Sequence, residues 1–210
     1  QTWQAIGESC GKIDTDQKHV FEMGKMLTFG DMDIESFGVS HDAAAPQFYK
    51  FMKDGKSFVM LTDTGYVSDR MRGTIENADA YLMESNHDVE MLKCGTYPYP
   101  LKRRILGEYG HLSNETASKV ALHLVQNGTE HIMLGHLSKE NNRPEIAMLE
   151  TYNLLSQSGV DVGGGMKPDG TDGTNDLSYL SLEAMALTGL PEPNLSVRFS
   201  KDTPHSLMQD

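Results

Sequence analysis

The stretch Phe58-Val-Met-Leu-Thr-Asp-Thr-Gly-Tyr-Val-Ser-Asp69 decides how the chain is organised. Its four apolar residues, Phe58 to Leu61, run into a Thr-Asp-Thr-Gly turn, and a short apolar run bounded by turn residues is typical of a buried strand. Asp63 therefore lies at the carboxyl end of this strand, where α/β proteins usually place their chemistry. A carboxylate in this position binds a metal, acts as a base or caps the next helix, and the stretch by itself leaves all three open.

Histidine-bearing turns follow other apolar runs in the same way: His41 after residues 32–39, His87 after 80–84 and His136 after 131–134. A fourth histidine, His111, lies in a Gly-His-Leu-Ser turn whose four residues recur around His136. Because the strand ends of one sheet converge in space, we expect these imidazoles to lie near Asp63. Neutral imidazoles and a carboxylate are the ligands of zinc and also suit iron or manganese. The sequence therefore predicts a divalent metal site.

Strand-like and helical segments alternate along most of the chain, which predicts an α/β layered fold. Gly30-Asp31 and Asp54-Gly55 each separate two apolar runs, so each is expected to form the turn of a hairpin. Residues 163–176, rich in Gly and Asp, predict a linker. Beyond them we expect a short tail, with an amphipathic helix over 176–187 and a strand over 194–199.

Composition narrows the classes of partner and compartment. The 210 residues allow one or two domains, and the net charge of −12 with a pI near 5.0 argues against general affinity for nucleic acids. The basic run Lys102-Arg103-Arg104 is interpreted as a solvated helix face. Cys10 and Cys94 fit reduced thiols in a cytoplasmic protein. The absence of a long apolar run and of a visible signal peptide predicts no membrane partner, and the oligomeric state stays open.

Five motifs, taken in order, resemble a known family. Residues from about 2 to 159 are similar to the second half of a metallo-β-lactamase-fold phosphodiesterase of the YycJ (WalJ) type, a branch related to RNase Z. The resemblance implies a partial αββα sandwich. The matching motifs are Gly38-Val-Ser-His-Asp-Ala43, Leu61-Thr-Asp-Thr-Gly-Tyr-Val-Ser-Asp-Arg70, Glu84-Ser-Asn-His-Asp-Val-Glu-Met-Leu92, Gly110-His-Leu-Ser-Asn-Glu115 and Gly135-His-Leu-Ser-Lys-Glu-Asn-Asn142.

The resemblance implies roles for individual residues. Asp63 would bridge two metals, zinc or manganese, with His41 at the first metal and His136 at the second. His111 resembles the histidine that assists phosphodiester cleavage in the RNase Z branch. With His87 placed in the same cleft, the expected catalytic residues are Asp63, His111 and His87. The implied activity is metal-dependent cleavage of DNA in an exonuclease-like manner, with RNA or a small phosphodiester as open alternatives.

One departure from that family bears on activity. The family's leading motif, His-x-His-x-Asp-His, supplies four metal ligands, and no such string occurs in this chain. Each metal would keep Asp63 and one histidine, whereas catalytic zinc sites usually have three protein ligands plus water. We therefore expect the isolated chain to bind metal weakly and to be a poor enzyme. The alternative is a non-catalytic fragment or interaction module.

The last fifty residues resemble a different family. Val160-Asp-Val-Gly-Gly-Gly165, residues 168–180 and Pro191-Glu-Pro-Asn-Leu-Ser-Val-Arg198 are similar to a segment of glycyl radical enzymes of the pyruvate formate-lyase-like group. Neither cysteine follows Val160, so the thiyl-forming residue of that group is missing from this segment. Residues 160–210 are therefore expected to be a fragment rather than an independent domain. A piece of a glycyl radical lyase is the third interpretation of the chain.

Overall fold

A computed structural model describes residues 2–7, 9, 11–129, 131–160, 179–184 and 196–200. A mixed sheet with its strands in sequential order forms the centre of this part. Neighbouring strands from β4 to β7 run parallel, and the pairs at both ends are antiparallel. The strands are β1 Met26–Phe29, β2 Met32–Gly38, β3 Gln47–Lys53, β4 Lys56–Leu61, β5 Ala80–Glu84, β6 His131–Gly135, β7 Tyr179–Ala184 and β8 Ser196–Ser200.

Helices fill the connections between the parallel strands, which confirms the predicted α/β class. Parallel neighbours need such crossovers, because a tight turn cannot return the chain to the same edge. The helices are α1 Thr2–Ile6, α2 Asp69–Ile75, α3 Val89–Cys94, α4 Tyr99–Ile105, α5 Asn114–Gln126 and α6 Pro144–Gln157, with a short 3₁₀ turn at Thr15–Gln17.

Both predicted hairpins form. β1 pairs with β2 in a register that places Phe29 opposite Met32, with Gly30-Asp31 between them. β3 and β4 meet across Asp54-Gly55, whose φ angles are 50° and 73°. Two consecutive positive φ values are typical of the two-residue hairpin turn, and Asp-Gly adopts them at low cost.

One face of the sheet packs against the helices and forms the core. Alternate residues of each parallel strand point to this face, as the two-residue period of a strand requires. The core residues of β4, β5 and β6 are Val59, Leu61, Tyr81, Met83, Ile132 and Leu134, all fully buried. They contact the apolar stripe of α5, made of Ala117, Val120, Ala121 and Leu124, and α6 residues Ala147, Met148 and Leu155. This packing holds the carboxyl ends of the three strands side by side.

The predicted tail helix over residues 176–187 is wrong where the structure describes it. Residues 179–184 form strand β7, which adds to β6 in parallel and pairs with β8 on its other side. The sequence Leu180-Ser-Leu-Glu-Ala184 alternates apolar and polar residues, a period that suits a strand. The open edge of β6 offers unpaired backbone groups that such a segment satisfies. The strand predicted over 194–199 corresponds to β8, whereas the linker at 163–176 lies outside the described residues.

The described residues also bear on the thiols and on membrane association. Cys94 is an exposed free thiol, and Cys10 lies outside the described residues. None of the helices in the described part has the length and apolar character that crossing a bilayer requires.

Candidate metal centre

Asp63 lies at the centre of a histidine cluster at the carboxyl end of β4. Its Oδ1 atom is 3.5 Å from His136 Nε2, 3.7 Å from His111 Nδ1 and 3.9 Å from His41 Nε2. The residue adopts a left-handed backbone with φ of 56°. This conformation is uncommon for a residue with a side chain, although Asp tolerates it better than most. The turn thereby aims the carboxylate at the histidines and away from the next helix, which is capped by Ser68.

His41 and His136 present the same ring atom to Asp63. His41 donates through Nδ1 to the carbonyl of Gly110 at 3.1 Å, and His136 donates through Nδ1 to Glu84 Oε1 at 2.6 Å. A histidine that donates from one nitrogen leaves the other as an unprotonated acceptor when the ring is neutral. In the neutral rings both Nε2 atoms therefore have lone pairs facing Asp63, and metal-binding histidines are usually held through their other nitrogen in this way.

Glu84 is the buried carboxylate behind the cluster. It ends β5, is fully buried, and accepts hydrogen bonds at Oε1 from both His111 and His136 at 2.6 Å. Its Oε2 accepts from the backbone amides of Thr64 at 2.9 Å and Leu112 at 3.4 Å. With about four acceptor sites on a carboxylate, these bonds occupy Glu84 completely. The geometry makes it a support for the imidazoles rather than a direct ligand.

The ionisation of this group follows from its hydrogen bonds. Burial by itself would raise the pKa of Glu84, but the hydrogen bonds from His111 and His136 outweigh it and hold that pKa below its usual value. The same hydrogen bond with Glu84 raises the pKa of His136 above its usual value, against the effect of burial. The pair is thus stabilised as a carboxylate beside an imidazole that readily carries positive charge.

The donor set fits a divalent metal. One ligand atom from each of Asp63, Glu84, His111 and His136 lies within 4.8 Å of the others. Ligand atoms about 2.0–2.2 Å from a tetrahedral zinc are roughly 3.3–3.6 Å apart, which is close to the spacing between Asp63 Oδ1 and the Nε2 atoms of His136 and His41. Nitrogen and oxygen donors of this kind accept zinc, iron or manganese, so the donors alone do not select one metal.

His87 is close to the cluster in sequence but is placed differently. Only 1% of the residue is exposed, and neither ring nitrogen has a hydrogen-bond partner among the described residues. Burial lowers the pKa of His87 to about 4, so the ring is neutral at physiological pH. Neither His87 nor His41 contributes an atom to the group of possible ligands around Asp63, but His41 places its Nε2 atom 3.9 Å from Asp63 Oδ1. The structure therefore brings Asp63, His41, His111 and His136 together, and the buried ring of His87 stays outside this cluster.

Two glycines allow the loops of the cluster to approach one another. A Cβ atom on Gly65 would lie 2.1 Å from the carbonyl oxygen of Glu108, and one on Gly110 would lie 2.2 Å from that of Ile105. Real side-chain atoms do not approach so closely, so both positions require glycine. Gly65 follows Asp63 by two residues, and Gly110 supplies the carbonyl that holds His41.

The basic run on α4 is used in local contacts rather than left wholly solvated. Lys102 donates to the carbonyls of Lys93 and Gly95, and Arg104 binds Asp42 with two hydrogen bonds of 2.5 and 2.8 Å. The hydrogen bond from Arg104 is the main reason that the pKa of Asp42 falls to about 2. Since Asp42 follows His41 directly, this ion pair fastens the His41 turn to α4.

Glu84 was not singled out from the sequence, although a signal for it existed. It ends the apolar run Ala80-Tyr-Leu-Met-Glu84 just as Asp63 follows Phe58–Leu61, in a strand expected to be buried. A carboxylate at a buried strand end needs partners, because an isolated buried charge is very costly. The nearby histidines were the available partners.

Together the fold and the cluster define an α/β protein with a histidine–carboxylate site suited to a divalent metal. The chain is 61% identical over 165 residues to the exodeoxyribonuclease WalJ of Streptococcus pneumoniae serotype 2 (strain D39 / NCTC 7466), covering 78% of this chain and 61% of the relative. It is 48% identical over 172 residues to the exodeoxyribonuclease YycJ of Bacillus anthracis, covering 82% of this chain and 65% of the relative. The resemblance to the YycJ (WalJ) type is thereby confirmed, and the chain spans less than two thirds of the length of these relatives.

Two further comparisons concern the fold and the carboxyl-terminal part. The metallo-β-lactamase fold protein YhfI from Bacillus subtilis, a solved structure, is similar with a TM-score of 0.49 and 20% identity, covering 65% of this chain and 48% of that chain. The pyruvate formate lyase-like family matches residues 152–210, in agreement with the second resemblance noted in the sequence.

Proposed function

We propose that the cluster around Asp63 is the metal-binding part of a phosphodiester hydrolase and that its substrate is DNA. The observation that carries the proposal is the geometry of His41 and His136, whose Nε2 atoms face Asp63 Oδ1 at 3.9 and 3.5 Å while both Nδ1 atoms are held elsewhere. The WalJ and YycJ relatives are named exodeoxyribonucleases, which supports DNA as the substrate class.

In this proposal His41, Asp63 and His136 hold the metal, which is zinc or manganese. A divalent ion bound there would supply an activated water and positive charge for the phosphodiester. Asp63 provides the negative charge nearest to the ion, and Glu84 keeps the His136 ring in the tautomer that leaves Nε2 free. The residues thus fix a position for the phosphate.

His111 is proposed as the general acid. Its Nδ1 donates to Glu84, so the protonated ring carries its second N–H on Nε2. As the bond from phosphorus to the leaving oxygen breaks, this N–H can pass its proton to that oxygen. Glu84 offsets the positive charge on the ring before the transfer and fixes its orientation. His87 has no such path, because its ring is buried and neutral.

Activity of the chain as printed is proposed to be weak. The proposed ligands His41, Asp63 and His136 offer each of two metals only Asp63 and one histidine, whereas catalytic zinc sites usually have three protein ligands. Metal content after dialysis, measured by elemental analysis, and hydrolysis of a bis-nitrophenyl phosphate and of end-labelled DNA would test this. Tight stoichiometric metal with rapid turnover would contradict the ligand count. Restoration of both by a segment carrying His-x-His-x-Asp-His, added in cis or in trans, would support it.

We infer that residues 160–210 are a fragment rather than an independent domain. Support comes from strand pairing, since β7 extends the central sheet beside β6 instead of forming a sheet of its own. The family match over 152–210 starts inside α6, which also contacts the main core. Expression of residues 160–210 alone should give a chain without a cooperative thermal transition, and a sharp transition would overturn the inference.

A further inference from the structure

Asn86 is hydrogen-bonded to the turns of both histidines. Its backbone amide donates to the carbonyl of Leu112 at 2.8 Å, and its backbone carbonyl accepts from the amide of Ser138 at 2.7 Å. Its side-chain Nδ2 donates to the carbonyl of His136 at 2.9 Å. Leu112 follows His111 directly, so Asn86 contacts the turns of both imidazoles that bind Glu84.

The side chain of Asn86 contacts the backbone of His136, which has an unfavourable conformation. His136 has φ of 56°, in the left-handed region that residues with a side chain rarely adopt. Such a conformation is strained and persists only where the surroundings hold it. The side-chain amide of Asn86 binds the carbonyl of His136. The carboxylate of Glu84, two residues before Asn86, binds the His136 ring.

We propose that Asn86 is a positioning residue for the metal centre: its side-chain amide fixes the left-handed turn at His136 and so aims the Nε2 atom of that ring at Asp63. The inference rests on the proposed metal site but also makes a statement about the metal-free chain. Without the amide, the carbonyl of His136 loses its donor and the turn can relax toward ordinary backbone angles. The ring would then move away from the 3.5 Å separation from Asp63.

The test separates this role from general stability by a matched pair of variants. Asn86→Ala removes only the side-chain bond, because the two backbone bonds stay. Asn127→Ala is the control: its Nδ2 donates to the carbonyl of His123 at 2.8 Å at the end of α5, and both asparagines are half-buried. Asn86→Asp keeps the shape but places an acceptor against an acceptor, so it should be at least as damaging as alanine.

The first readout is titration of the full chain with Co²⁺, followed by its visible absorption. Asn86→Ala should weaken Co²⁺ binding about 10- to 100-fold, the usual effect of losing a contact behind a metal ligand, and should change the band pattern. Asn127→Ala should stay within about twofold of the parent chain. If both variants lost Co²⁺ affinity to the same degree, and the loss followed the fall in their thermal unfolding midpoints, the proposal would be overturned.

The second readout is independent of metal and therefore of the proposed function. In the metal-free chain, nitrogen and carbon NMR shifts of the His136 ring and carbonyl should change in Asn86→Ala and not in Asn127→Ala. If the parent chain takes up no Co²⁺ even with the His-x-His-x-Asp-His segment added, the proposed metal site fails and these shifts alone decide the role of Asn86. Unchanged His136 shifts in Asn86→Ala would overturn it in that case.

Discussion

The Nδ1 atom of His136 lies 2.6 Å from the Oε1 atom of Glu84, a carboxylate with no exposed surface. His111 reaches the same oxygen atom at 2.6 Å through its own Nδ1. One buried oxygen thus sets the orientation of two imidazoles. The consequence is that a substitution at Glu84, which is not one of the proposed metal ligands, would alter both rings at once.

Replacing Glu84 by Gln should reveal this dependence. The amide retains the shape but loses the charge, so the pKa of His136 should fall toward its ordinary value and metal affinity should drop about 10- to 100-fold. Histidine NMR titration and Co²⁺ binding measure the two effects. Glu76→Gln is the control, because Glu76 accepts from His123 Nε2 at 2.8 Å away from the cluster. An unchanged His136 titration in Glu84→Gln would show that the carboxylate does not govern the ring.

Asp63→Asn should remove metal binding while leaving the fold intact. Asn tolerates the left-handed φ of 56° as well as Asp does, so the turn is expected to keep its shape. Loss of the central negative charge should weaken metal binding by more than about 100-fold, since ligands are worth more than the groups behind them. Elemental analysis and a thermal melt of the metal-free variant give the comparison. Retention of metal by a well-folded Asp63→Asn would place the binding site elsewhere.

His87 should make the metal-free protein less stable in acid. Its folded pKa is about 4 against an ordinary value of 6.5, so the unfolded chain binds the extra proton between these values. The contribution of His87 to the unfolding free energy is fully present above pH 6.5. It is lost as pH falls toward 4, which lowers the unfolding free energy by about 3 kcal/mol in total. The raised pKa of His136 acts in a different window, above 6.5, where its contribution fades as pH rises.

Urea unfolding between pH 7.5 and 4.5 measures this dependence. His87→Leu should flatten the loss of unfolding free energy across that range, because an apolar side chain of similar size needs no partner there. His19→Gln, at an exposed position, should leave the slope as it is. A slope in His87→Leu equal to that of the parent chain would mean that His87 is protonated without difficulty in the fold.

Gly110→Ala should destabilise the loop that carries His111. The added Cβ would meet the carbonyl oxygens of Ile105 and Arg104 at 2.2 and 2.3 Å, and backbone atoms cannot move aside cheaply. We expect a loss of at least about 2 kcal/mol in unfolding free energy by urea titration. Gly73→Ala, in α2 with open space around it, should instead stabilise by about 0.5–1 kcal/mol. Similar effects in the two variants would contradict the packing argument.

Limited proteolysis should first cut the chain between Gly163 and Asp176. This Gly- and Asp-rich segment has little apolar surface to bury, and such segments are preferred sites of cleavage. Mass spectrometry of the first products identifies the bonds. First cleavage within residues 26–158 would show instead that the segment is protected.

The sequence predicted the convergence of Asp63, His41 and His136 because each follows an apolar run that ends in a turn. Both hairpins were predictable for a similar reason, since their signals are local. Depth of burial is not local. His87 shares the turn context of the other histidines, yet only 1% of it is exposed, and its backbone pairs with Ser113, which is distant in sequence.

The tail shows a different limit of prediction. Residues 176–187 have a pattern compatible with an amphipathic helix, but the described part is strand β7, paired along the edge of β6. A short segment whose pattern fits both a helix and a strand adopts the one that contacts with its neighbours stabilise. The choice between a helix and a strand depends on which edge of the sheet is open, and the local sequence does not give that edge.

The order of the parallel strands also governs when the centre can form during synthesis. Glu84 and His136 are 52 residues apart, and the hydrogen bond from His41 to Gly110 spans 69 residues. At about 5–20 residues per second, the ribosome releases His136 seconds after Glu84 has emerged. Until then β5 has an unpaired edge and Glu84 lacks one of its two imidazoles. The nascent chain therefore passes through a stage in which the acidic end of β5 is exposed.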